Sequence, residues 1–134
     1  MRLFISLISI LPVLALAAPA SADEEWICDK ANSNVEHLQC ADREYRKHDA
    51  ELNAVYKTLL KESEGQNDPL PGAGPPPLQA LKEAQRAWVS YRDANCRWKA
   101  SSFYGGSGQP VIMMSCLAIT TRDRVKELRS FMQD

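Results

Sequence analysis

The sequence predicts an all-α fold, a small antiparallel three-helix bundle stapled by two disulfides, and three observations carry that expectation. Apolar residues recur three or four apart along three long stretches. Glycine and proline gather in the two connections between those stretches. Period-two alternation is confined to Pro110 to Met114, too short to build a sheet.

The first helix is expected to open at Asn34, because Ser33-Asn34-Val35-Glu36 fits a capping box in which the Ser33 hydroxyl accepts from the Glu36 amide and the Glu36 carboxylate returns to the Ser33 amide. Leu38, Tyr45, Leu52, Val55, Tyr56 and Leu59 then follow at helical spacing to about Glu62. From Ser63 to Pro77 the chain is rich in glycine and proline, and Pro75-Pro76-Pro77 suits neither a helix interior nor a central strand, so residues 63–77 are read as an exposed connection. A second helix is expected directly after it, burying Leu78, Leu81, Ala84, Trp88, Tyr91 and Cys96 and ending near Phe103, before Gly105-Gly106-Ser107-Gly108. Met113, Leu117, Thr121, Val125, Leu128 and Met132 mark a third, from about Val111 to Met132 behind Pro110. Each helix is expected to bury one stripe against the other two.

Residues 1–22 read as a secretory signal peptide: Arg2, the apolar run Leu3 to Ala18, and small residues in Ala20-Ser21-Ala22 at the cleavage site. The run falls short of a spanning helix and no second one follows, so no membrane span is expected. Cys28 follows Glu25-Trp26-Ile27 rather than a small-residue lipoprotein cleavage site, which argues against a lipid anchor. The expected product is a single domain, residues 23–134, in the periplasm or secreted.

In that compartment four cysteines read as two disulfides. On one straight helix Cys28 and Cys40 would stand about 18 Å apart, beyond bridging distance. The cap at Ser33 lets the segment carrying Cys28 fold back along the first turns, while Cys96 and Cys116 flank the glycine turn. Cys28 with Cys40 and Cys96 with Cys116 is therefore the pairing expected over the two alternatives. Cysteines at least 12 apart do not suit a zinc site.

Chemistry-bearing patterns are few. His37 and His48 fall on nearly one helix face but about 16 Å apart, too far to share a metal or a proton. Glu44 and His48 make at most a weak cation pair, no serine sits in a nucleophile elbow, and the glycine turn lacks the Lys-Ser/Thr of a phosphate loop. Neither catalysis nor a cofactor is expected. Asp23 to Glu64 holds 11 acidic and 6 basic residues, and Leu78 to Asp134 holds 5 and 9. That asymmetry is read as complementarity between helix one and the other two, and an overall formal charge of −1 disfavours nucleic acid as a partner.

The densest stretch is Gln85-Arg86-Ala87-Trp88-Val89-Ser90-Tyr91-Arg92-Asp93-Ala94-Asn95-Cys96. Trp88 and Tyr91 are expected in the core, with Arg92 stacked on Trp88 or paired with a helix-one carboxylate such as Glu51. Taken with Asp49-Ala50-Glu51-Leu52-Asn53-Ala54-Val55-Tyr56, Gly105-Gly106-Ser107, Cys116, Thr120, Arg122 and Leu128, this stretch resembles the LprI-like lysozyme inhibitor family of exported bacterial proteins. The resemblance covers nearly the whole chain after residue 22. It implies a helical domain whose partner is lysozyme, with Gln85, Arg86, Trp88, Tyr91, Arg92 and Asp93 as determinants of the fold.

A blocker of a muramidase must bring a donor or cation between the two carboxylates of the cleft. The turn from Ser101 to Gln109 has the needed hydroxyls, aromatic edge and permissive backbone, which nominates Tyr104, Ser107 and Gln109 as plug residues and Arg97 and Lys99 as neighbouring cations. An acidic face on helix one would steer the protein toward a basic lysozyme. The competing expectation is a non-catalytic envelope protein that binds another protein or a small ligand through the Trp88/Arg92 face or the proline-rich connection.

Overall fold

The structure, a computed structural model, describes residues 27–66 and 68–132, and the signal peptide expected at residues 1–22 lies outside the described residues. A short 3-10 turn, Ile27–Lys30, precedes helix α1, Asn34–Ser63; α2 is Pro77–Ala100 and α3 is Gln109–Ser130. The helix starts follow from local chemistry. Ser33 is extended and its hydroxyl accepts from the Glu36 amide at 3.2 Å, while the Glu36 carboxylate returns one residue earlier than expected, to the Asn32 amide at 2.7 Å. Proline occupies the first turn of both α2 and α3, where its missing N–H is not needed. A 3-10 turn, Ser101–Phe103, continues α2, and Gly105 at φ 75° ends that direction of the chain.

The helices run up, down, up. The Cys96–Cys116 disulfide and the hydrogen bond from Arg124 to Gln85 set α2 antiparallel to α3, and Leu52 and Val55 pack against Val125 and Leu128, so α1 runs parallel to α3. Here the expectation that each helix rests on both others needs correcting. Helix α3 lies against both neighbours, but α1 and α2 barely meet directly. Ala41 on α1 and Ala118 on α3 are wholly buried small residues, compatible with close approach, whereas the bulk of Trp88 and Arg92 fills the space on the α2 side.

Two apolar clusters form the core. One gathers Leu52, Val55, Val125 and Leu128 with Tyr56, Leu59 and Trp88 against them; the other joins Cys96, Cys116 and Leu117 to Tyr45, Met113 and Met114. The disulfides are Cys28–Cys40 and Cys96–Cys116, with Cα separations of 5.8 and 5.5 Å. For a domain of this size each is expected to contribute about 2–4 kcal/mol.

Between the clusters lies the buried guanidinium of Arg92. Its Nε and Nη2 both donate to Asp93 Oδ1 at 2.9 Å, Nη1 donates to the Thr121 hydroxyl of α3 at 3.4 Å, and Asp49 of α1 stands 4.0 Å away. The same group lies over the rings of Trp88 and Tyr45, at 5.1 and 5.6 Å. Arg124 of α3 approaches the Trp88 ring at 5.6 Å, donates to Gln85 and pairs with Glu127 at 2.7 Å. Arg92 thus stacks on Trp88 as expected, but its α1 carboxylate is Asp49; Glu51 instead faces Arg129 at 3.6 Å and His48 at 3.7 Å. Tyr91, expected in the core, is 62% exposed, because the buried stripe of α2 is Gln85, Arg92, Cys96 and Ala100.

A flat guanidinium can serve two rings and three oxygens at once; an ammonium cannot. Arg92→Lys is therefore expected to lower unfolding free energy by about 2 kcal/mol, read as a reduced urea midpoint with unchanged slope.

Candidate functional site

The end of the bundle where α2 turns into α3 is built as a braced projection. Tyr104, Gly106 and Gln109 amides donate to the Ser101, Phe103 and Gly106 carbonyls at 3.1, 2.9 and 3.1 Å. The Gly105 amide donates to the side-chain oxygen of Gln109 at 3.1 Å, which closes the turn across its neck. The Phe103 ring lies against Gly108 so closely that a Cβ there would stand 3.2 Å from it, a contact that favours glycine. One turn below, the Cys96–Cys116 disulfide joins the two helices. Asn34, at the start of α1, donates to the Ser107 hydroxyl at 3.0 Å and ties the turn to α1.

On this frame Tyr104 is 87% exposed. A shallow groove beside it is lined by Arg97, Ala100, Ser101, Tyr104, Gln109, Pro110 and Met113. The groove therefore brings together three of the five residues nominated from sequence, Tyr104, Gln109 and Arg97. Ser107 and Lys99 are exposed but do not line it. Gln109 and Ser107 are both engaged in holding the turn, so their first role here is positional, while Tyr104 and Arg97 are left for contact. Neither Arg97 nor Lys99 has a carboxylate partner among the described residues.

Sequence reasoning did not single out Asn34 or Phe103, which position the turn, or Met113 and Pro110, which floor the groove. Gly108 was the available signal for Phe103, since a glycine so near a helix start marks close approach by another group.

The motif on α2 divides in two. Gln85, Trp88, Arg92 and Asp93 belong to the seam between helices, whereas Arg86 and Tyr91 face solvent. Arg92 is buried and engaged with Asp93 and Thr121, so its guanidinium presents little surface to an outside ligand. Over its whole length α1 carries six acidic and five basic residues, so the acidic excess of that half resides mainly in the segment before it.

His48 is buried, with Glu44 and Glu51 each 3.7 Å from its ring nitrogens, and its Nδ1 has no hydrogen-bond partner. Among the described residues no group of three or more His, Cys, Asp or Glu side chains is arranged to hold a metal ion. All four cysteines are in disulfides, which leaves no thiol nucleophile. No described helix is long and apolar enough to cross a membrane.

Comparison with known proteins agrees with this architecture. Residues 28–128 match the family described as "Lysozyme inhibitor LprI". The chain belongs to the LprI family. An uncharacterized protein of Rhizobium meliloti (strain 1021) is 39% identical over 125 residues, covering 90% of each chain. The fold is similar to the crystal structure of a DUF1311 family protein from Pseudomonas putida KT2440, with a TM-score of 0.58 and 24% identity over 71% of this chain and 89% of the other. The matched span runs from the first disulfide cysteine to the last core leucine, so the LprI description covers both core clusters and the braced turn alike.

If Gln109 closes the turn as described, Gln109→Ala frees the Gly105 amide. Amide exchange at Gly105 and Gly106 is expected to rise about tenfold, measured by hydrogen exchange, with the helices unaffected.

Proposed function

We propose that this LprI-family protein is exported to the periplasm or beyond, has no catalytic role, and inhibits lysozyme by seating the α2–α3 turn in the muramidase cleft. The observation that carries this reading is the exposure of Tyr104 on a turn whose backbone is already ordered, beside an Arg97 with no carboxylate partner among the described residues. A preformed projection loses little conformational freedom on binding, and an exposed tyrosine supplies large contact area with few rotatable bonds. Arg97, with Lys99 nearby in sequence, supplies the positive charge that a cleft holding an ionised carboxylate attracts.

In this reading the five residues do different things. Tyr104 and Arg97 touch the enzyme, Lys99 adds charge, and Ser107 and Gln109 keep the turn in its binding shape. Ion pairing confined to this end should be screened by salt, while the tyrosine contact should not.

Turnover of bacterial cell walls by lysozyme, with purified protein as inhibitor, tests this. Tyr104→Ala is expected to raise the inhibitor concentration needed for half-inhibition about tenfold or more, with unchanged thermal unfolding. Ser107→Ala is expected to have a smaller effect through loss of the Asn34 anchor. Inhibition by Tyr104→Ala equal to that of the unaltered protein would exclude the turn, and absence of inhibition altogether would exclude the function.

A further inference from the structure

Helix α2 carries a second aromatic feature, which neither the core nor the braced turn uses. Tyr91 and Trp98 are 62% and 71% exposed. Seven residues of helix place them about 10.5 Å apart along the axis and within about 20° of one azimuth. On that side Ala94 and the half-buried Asn95 are the residues that stand between the two rings. Arg86 and Arg97 border the same side, both exposed and neither with a carboxylate partner among the described residues.

Folding does not require this arrangement, since α2 buries the opposite stripe. Its spacing points to a repeating ligand. In an extended β-1,4-linked pyranose chain alternate sugars turn the same face outward, and the axial rise from Tyr91 to Trp98 is about one disaccharide. The apolar C–H face of a pyranose stacks on an aromatic ring, with its hydroxyls left in water. The basic border selects among such chains for one that carries carboxylates.

We propose that this face of α2 binds the glycan strand of peptidoglycan, a β-1,4-linked amino-sugar chain with acidic peptide substituents. Tyr91 and Trp98 stack on alternate sugars, and Arg86 and Arg97 meet carboxylates of the peptide stems. Arg97 also lines the groove beside Tyr104, but Tyr91, Trp98 and Arg86 do not, and the proposal does not rest on lysozyme inhibition.

Co-sedimentation with insoluble peptidoglycan sacculi and calorimetric titration with chitohexaose test it. The protein is expected to bind both probes. Tyr91→Ala and Trp98→Ala should each weaken binding about tenfold with unchanged circular dichroism, as befits exposed positions. Arg86→Ala should weaken binding to sacculi and leave chitohexaose binding as it was. The double variant Ala94→Trp with Trp98→Ala keeps two rings but places them three residues apart, and should bind no better than Trp98→Ala alone. Failure of the unaltered protein to bind chitohexaose would overturn the proposal, even if sacculi retained it by charge. So would full binding by the double variant, because spacing would then be irrelevant.

Discussion

The register of this bundle depends on the buried guanidinium of Arg92. A guanidinium cannot be withdrawn from water unless its charge and its donors are met, and Arg92 meets them with groups from all three helices: Asp93 beside it, Asp49 on α1 and Thr121 on α3. The stacking of Trp88 and Tyr45 over the same group sets how far apart α1 and α2 stand. That is why α3 serves as the common partner while the other two hardly meet. A slide of either helix by one turn would strand the charge. The arginine thus favours one register, in a domain whose apolar core is modest. The two carboxylates retain access to water, so the pairing does not depend on Coulomb attraction in a dry interior.

Much of this was legible in the sequence because it depends on local rules. Ser33 caps, Pro77 and Pro110 begin helices, Gly105 turns the chain, and a bridge between Cys28 and Cys40 is feasible only because the helix begins after Cys28. What escaped were relations set by packing. Periodicity places Tyr91 near the apolar side of α2, yet the side that faces α3 is centred on Gln85, Arg92 and Cys96, about 100° further round. A stripe judged by hydrophobicity misses a core stripe that includes an arginine and a glutamine. Likewise Asp49 and Glu51 are near neighbours in sequence, and only the path of α1 relative to α2 decides which faces Arg92. Gln109 was legible as a polar residue near a turn; that it folds back to the Gly105 amide is a property of the folded loop.

The same division governs function. Residues that define the LprI pattern on α2 mostly serve the seam, which makes them informative about family and nearly silent about partners. The residues proposed to meet lysozyme lie elsewhere, on a projection whose shape is held by the disulfide, the Phe103–Gly108 contact and the Asn34–Ser107 hydrogen bond. A rigid bundle with a preformed end is suited to binding a macromolecule, because the ordering is completed during folding and not at the encounter.

That separation of scaffold from contact surface is tested most directly by hydrogen exchange of the protein alone and with saturating lysozyme. Protection gained in residues 101–109, with α2 amides around Arg92 exchanging equally slowly in both states, is the predicted pattern. Protection centred on the α1 surface or the proline-rich connection, or slowed exchange throughout the seam, would contradict it.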